Sequence, residues 1–394
     1  MGGDRNVGKK AALRVDGLEW EKKHKPRLHL TPLGGARGLC YARFLQSSDL
    51  EQEMIMEQSI VLFDGGAGTT LQDELGCELG SARLWASELL LTGPATLATL
   101  HRAWEAAGSQ VVSTVSYQAT THAFQAHPKL KGEQPLQLLR SAITVARDAV
   151  EKAETRIALS LGPYGATCQP GLEYSGAYPA PYDREDSLAR FHLDRLRDYA
   201  RDDASWNQVD VVLFETIPNL VEVRAIRRAW KELGEEIHSA TTKEWVISLV
   251  FTGSTTTTPV QFPTGECYTD VFRGAILDQK DGGQYATPTG IGINCTKVEH
   301  LERILDAWTS CALGEMTKHI PKALWLYPDG GPTYDPVNRT WTGSSTTHQE
   351  WAHNLVAIAR RFQDPWSHLV LGGCCKAGTN HIRALRDLLS EPSS

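Results

Sequence analysis

Ser59-Ile60-Val61-Leu62-Phe63-Asp64-Gly65-Gly66 is a short apolar run that stops at an acidic residue and two glycines. A run of this kind, bounded by turn formers, reads as a strand. Because no polar residue alternates through it, the strand is expected to be covered on both faces, as in a parallel sheet. The pattern then repeats along the chain. A helical stretch near 95–107 leads into Gln110-Val111-Val112-Ser113-Thr114, and another near 136–152 into Ile157-Ala158-Leu159-Ser160-Leu161. A helix near 186–203 precedes Val211-Val212-Leu213-Phe214-Glu215, and one near 219–233 precedes Trp245-Val246-Ile247-Ser248-Leu249-Val250. Three further runs follow: Gly290-Ile291-Gly292-Ile293-Asn294-Cys295, Ala323-Leu324-Trp325-Leu326-Tyr327 and Leu369-Val370-Leu371-Gly372-Gly373, with a last helix near 378–390.

Eight such units predict an α/β fold, a single (β/α)8 TIM barrel over residues 58–392. The alternative is a doubly wound open sheet, but no glycine-rich dinucleotide fingerprint follows the first strand. No internal repeat or low-complexity segment interrupts the series. Residues 252–287 form a long polar stretch after the fifth run and are expected to be a surface insertion.

The bulk numbers exclude several function classes. The chain has 394 residues, 41% hydrophobic and 22% charged, with a net charge of -7. That balance argues against nucleic acid or an anionic membrane as a partner, and no apolar stretch is long enough to span a bilayer. The eight cysteines lack the short regular spacing of a disulfide framework, so a reducing, cytoplasmic location is expected and Asn338-Arg339-Thr340 is read as a chance sequon. Residues 1–57 differ from the rest. Ten Lys and Arg stand against five Asp and Glu in the first fifty positions, without periodicity. They are expected to be a disordered extension outside the fold, with an organelle address as the alternative.

In a barrel, chemistry gathers at the C-terminal ends of the strands. That rule selects Asp64, Glu215, Asn294, Cys295, Cys374 and Cys375. Cys295 closes the sixth run and the Cys374-Cys375 pair closes the eighth, so strands of one parity can aim three thiols at one point. Both members of the pair can face that point only if the strand end is irregular, which Gly372-Gly373 permits. Three thiolates with an open fourth position describe a catalytic zinc site. Spacing alone leaves packing, zinc and a redox pair all open.

Five motifs carry a resemblance: Phe63-Asp64-Gly65-Gly66-Ala67-Gly68-Thr69-Thr70, Ser160-Leu161-Gly162-Pro163-Tyr164-Gly165-Ala166, Phe214-Glu215-Thr216-Ile217-Pro218, Gly292-Ile293-Asn294-Cys295-Thr296 and Gly372-Gly373-Cys374-Cys375. Together, and in this order over about residues 59–390, they resemble the homocysteine S-methyltransferases. Glu173-Tyr174-Ser175-Gly176-Ala177-Tyr178, followed by Phe191-His192, is similar to the small single-domain branch that uses S-methylmethionine or S-adenosylmethionine. The resemblance implies a Zn2+ ion on Cys295, Cys374 and Cys375, with the homocysteine sulfur in the fourth place attacking the donor's methyl carbon. It implies that Asp64 and Glu215 hold the substrate ammonium and that Gly65 and Gly66 offer backbone N–H groups to its carboxylate. Asn294 is expected to orient the strand end rather than touch substrate. A monomer is expected, and the lack of a C-terminal arm like that of the oligomeric betaine-using enzymes is read against betaine as donor. The competing readings are the same barrel with betaine as donor and a non-catalytic zinc-binding barrel. The chain departs from the family at Asp329, where Asn is usual, and at Lys376-Ala377-Gly378.

Overall fold

The computed structural model describes residues 60–80, 82–130, 132, 134–253, 260–277, 283–315, 320–335, 340–343 and 346–390. The expectation for residues 1–57 therefore falls outside the described residues. The strands are β1 (Ile60–Leu62), β2 (Val111–Ser113), β3 (Arg156–Leu161), β4 (Val211–Ile217), β5 (Glu244–Leu249), β6 (Gly290–Asn294), β7 (Ala323–Tyr327), β8 (Thr333–Asp335), β9 (Thr340–Thr342) and β10 (His368–Leu371). Eight of them form one parallel sheet in the order β1-β10-β7-β6-β5-β4-β3-β2, while β8 and β9 make a separate antiparallel hairpin. The two ends of the sheet meet: Gln110 N donates to Leu62 O at 2.7 Å, and Leu62 N donates to Gln110 Oε1 at 3.0 Å. A side chain thus supplies part of the ladder that closes the barrel.

Period-two alternation sorts the residues of each strand. Val212, Phe214, Leu159, Leu161, Ile291, Ile293, Leu324 and Leu326 point outward into the large core shared with the helices. Val211, Leu213, Ala158, Val246, Trp325 and Val370 point inward and fill the barrel together with Phe63. Phe63 packs edge-on against Trp325 and Tyr327, with ring centroids 5.3 and 5.1 Å apart. Gly292 faces inward too, where a Cβ would lie 2.8 Å from Trp325 O and 2.9 Å from Trp325 Cβ, so the glycine makes room for the indole. In six of the eight barrel strands the last inward position is polar: Ser113, Ser160, Glu215, Ser248, Asn294 and, on β7, the phenol Tyr327. These residues cap the apolar interior and form the floor of the mouth.

The helices begin and end near the expected positions, at Pro94–Ala107, Pro135–Ala149, Glu185–Ala200, Leu220–Glu236 and Thr379–Ser390. The second stops three residues short of expectation. The Glu105 carboxylate accepts from Glu151 N, Lys152 N and Thr155 Oγ1 and holds the chain in the following turn. The expectation for 252–287 needs correction. It contains the helix Tyr268–Ile276, whose Val271, Phe272, Ala275 and Ile276 are buried, with Phe272 against Trp308 and Trp366. Residues Tyr268–Ile276 are thus the fifth barrel helix rather than part of a surface loop.

Candidate active site

Three left-handed residues shape the mouth. Thr216 (φ 61°), Cys295 (φ 46°) and Lys376 (φ 62°) are non-glycine residues in a region that costs about 1 kcal/mol or more each. Each sits beside or within a predicted site residue pair. The β4–β5 register slips between Phe214 and Ile217, so β4 ends in an irregularity that leaves Glu215 facing the barrel axis. Asn294 fixes that turn from β6: its Oδ1 accepts from Thr216 N at 2.9 Å and Ser248 Oγ at 2.8 Å, and its Nδ2 donates to Thr216 Oγ1 at 2.7 Å. The orienting role expected of Asn294 is what the structure gives it.

The cysteine pair bends at a different place from the one the sequence indicates. Neither Gly372 nor Gly373 is left-handed; the turn comes at Lys376, with Ala377 N bonded to Cys374 O at 3.0 Å. The glycines are required for space. A Cβ on Gly372 would sit 2.7 Å from Asp64 O, and one on Gly373 would sit 2.4 Å from the Ala377 methyl. The result is that Cys295, Cys374 and Cys375 bring their sulfurs within 4.8 Å of one another, all half-buried. Cys295 and Cys374 are paired as a disulfide, and Cys295 Sγ lies 4.0 Å from Cys375 Sγ. Asn294 Nδ2 approaches Cys374 Sγ at 3.9 Å. Burial pushes the Cys375 thiol up to about 12, with the Asp329 charge adding to the rise and the Tyr174 hydroxyl opposing it.

Asp64 is 1% exposed. Its Oδ2 accepts from Ser113 N at 2.6 Å and Ser113 Oγ at 2.8 Å, so it also ties β1 to β2; its Oδ1 has no partner. Removal from water raises its pKa to about 8, against the pull of the Ser113 bonds and with help from Glu215. Glu215 accepts from Ser160 Oγ, and burial raises it to about 7, opposed by Ser160, Tyr327 and the Arg195 charge. Two carboxyls held near each other with little compensating charge make a site that gains from a cation. The glycine expectation is corrected in part. Gly66 N donates to Ala377 O at 3.1 Å and is not free for a ligand, whereas Gly65 N is unbonded among the described residues. Gly65 and Gly66 both lie where a Cβ would strike the cysteine loop, 2.2 Å from Ala377 O and 2.4 Å from Cys374 O respectively.

The sequence reading missed Ser113 and Ser160, which bond the two acids, and Ser248, which bonds Asn294. The available signal was a polar residue at the inward parity of an otherwise apolar run. At the departures, Asp329 accepts from Gly331 N at 3.0 Å and is raised to about 6 by burial, with the Lys297 charge opposing, while Lys376 pairs with Asp73 at 2.7 Å.

The family model described as homocysteine S-methyltransferase matches residues 61–389. Homocysteine S-methyltransferase 3 of Arabidopsis thaliana is 30% identical over 352 residues, covering 84% of this chain and 90% of its own. A homocysteine S-methyltransferase of Bacillus subtilis is 28% identical over 345 residues, covering 85% and 96%. The homocysteine methyltransferase MmuM of Escherichia coli, solved in a metallated form, shares the fold at a TM-score of 0.58 and 22% identity, over 86% of this chain and 99% of that one. The match runs from β1 through the last helix and takes in both strand ends that carry the cysteines: the chain belongs to the homocysteine S-methyltransferase family.

Proposed function

We propose that this homocysteine S-methyltransferase draws its methyl group from a sulfonium, S-methylmethionine or S-adenosylmethionine, and holds a zinc ion on Cys295, Cys374 and Cys375. The observation that carries the reading is the convergence of three sulfurs within 4.8 Å at the strand ends that also carry the buried Asp64 and the half-buried Glu215. Tetrahedral zinc with Zn–S bonds of about 2.3 Å places its sulfurs about 3.8 Å apart. The 4.0 Å between Cys295 and Cys375 fits that spacing. Cys375 is already a free thiol, and two-electron reduction of the Cys295–Cys374 pair by a small-molecule thiol frees the other two. Zinc supplies a charge that makes a coordinated thiol a thiolate at neutral pH, and it does so without redox chemistry.

The chain's own residues do the rest. Asp64 Oδ1 and Glu215 take the homocysteine ammonium, and Gly65 N takes its carboxylate. Ser113 and Ser160 keep the two acids aimed inward, and Asn294 holds the Glu215 turn. The aromatic plug of Phe63, Trp325 and Tyr327 closes the barrel below and keeps water out of the reacting line. A neutral sulfide leaves from the sulfonium, so no general acid is needed, and positioning of the two substrates is the main task. We assign this work to residues 58–392, acting as a monomer. The test is zinc analysis together with methyl transfer from S-methylmethionine, S-adenosylmethionine and betaine. Close to one zinc per chain and faster turnover with a sulfonium are expected. Faster turnover with betaine at matched concentration overturns the donor, and a zinc-free active enzyme overturns the metal.

A further inference from the structure

Two amino acid substrates bring two ammonium groups into the mouth, and Asp64 with Glu215 accounts for only one. A third carboxyl stands nearby. Glu173 lies in the loop after β3, on the catalytic face, and its Oε2 is buried with no hydrogen-bond partner. Glu173 follows β3 on the face that carries the cysteines, and its charge adds to the rise of the Cys375 thiol. The Tyr174 hydroxyl opposes that rise. Gly171 makes room for the carboxyl: a Cβ there would fall 2.3 Å from Glu173 Oε2.

The loop that carries Glu173 is pinned on both sides. Leu172 N donates to Gly165 O at 3.0 Å, and Gly176 N donates to Leu172 O at 2.9 Å. Beyond it, Tyr178 Oη donates to Glu222 Oε2 at 2.6 Å and Asn219 Nδ2 to Gly176 O at 3.2 Å. A half-buried acid whose Oε2 is out of water and unused is costly unless something pairs with it, and a loop bonded to keep it there calls for a ligand.

We infer that Glu173 takes the α-ammonium of the methyl donor, an assignment that rests on the sulfonium reading above. The sulfonium itself is the poorer partner. Its charge disappears as the methyl group leaves, so a carboxylate held against it would stabilise the ground state more than the transition state. The ammonium keeps its charge throughout, and a contact there holds the donor in line without slowing the transfer. An aromatic ring serves the sulfonium better, because its π face attracts a cation without neutralising it, and Tyr174 follows Glu173 directly in the chain.

The test compares the zinc-loaded wild-type chain with Glu173→Gln, using S-methylmethionine and its des-amino analogue as donors. Wild type should prefer S-methylmethionine by about tenfold or more in kcat/KM, the worth of a charged hydrogen bond. In Glu173→Gln that preference should collapse to within about twofold, with the homocysteine KM and the zinc content unchanged. A variant that keeps the full preference, or whose homocysteine KM rises as much as its donor KM, overturns the Glu173 assignment alone. A wild-type chain that turns over neither S-methylmethionine nor S-adenosylmethionine overturns the sulfonium reading and this inference with it.

Discussion

Asp64 and Glu215 are both acids raised by burial, and this fixes the direction of the pH dependence. A carboxyl with a folded-state pKa of about 8 or about 7 is largely protonated at pH 6 and ionises as pH climbs through those values. An ammonium binds the ionised form, so the homocysteine KM should fall between pH 6 and 8.5. Glu215→Gln should raise that KM about 10- to 100-fold at pH 8 and flatten its pH profile, while zinc content stays unchanged. Loss of zinc in this variant would move Glu215 into the metal shell and remove it from the substrate. The same residues show what could be read in advance. Asp64, Glu215 and the three cysteines follow from their positions at strand ends. The irregularity that turns the cysteine pair does not, because it is set by Lys376 at φ 62° and by close approaches between loops distant in sequence. Gly66 teaches the same lesson, since the partner of its N–H, Ala377, lies at the far end of the chain.

At the scale of elements, the strands were legible because each is a continuous apolar run buried on both faces. The helix Tyr268–Ile276 was harder to see, although Tyr268, Val271, Phe272, Ala275 and Ile276 repeat at the helical spacing i, i+3, i+4, i+7, i+8. It is only nine residues long and sits inside a threonine- and glycine-rich stretch, which dilutes the signal. The β8–β9 hairpin was not anticipated at all. The most consequential hidden element is the anchor of the loop after β3. Glu222, fully buried in the first turn of the helix Leu220–Glu236, accepts from Tyr164 N at 2.6 Å, Tyr178 Oη at 2.6 Å and His192 Nε2 at 2.9 Å. Glu222→Ala strips three buried donors of their acceptor and should cost about 3 kcal/mol of stability. Because the loop carries Glu173, this variant should also raise the donor KM more than the homocysteine KM. Thermal unfolding and the two KM values measure both effects, and an equal rise in both would mean that the loop does not serve the donor in particular.

The described residues form a barrel whose stability lies away from its chemistry. Two apolar clusters, one inside the strands and one between strands and helices, hold the fold, and of the three cysteines only Cys374 packs against one of them, at the edge of the inner cluster. The basic first segment carries neither the strand–helix periodicity nor a motif, so removal of residues 1–55 should leave the thermal transition and kcat within error of the full chain. A fall of the transition by several degrees in the truncated protein would assign that segment to the fold. Metal removal makes the sharper demand. Small zinc domains unfold without their ion because metal binding is their folding energy. Here the ion would sit at the mouth, over an interior already filled by Phe63, Trp325 and Tyr327. Chelation under reducing conditions, or Cys375→Ala, should therefore abolish methyl transfer while far-ultraviolet circular dichroism and cooperative unfolding persist. Readdition of zinc should raise the transition only by the linkage between free metal and its affinity, and restore activity in the chelated wild type but not in the variant. A chelated chain that has lost its helical signal at room temperature would place the cysteine cluster among the supports of the barrel, and the separation of stability from chemistry would fail.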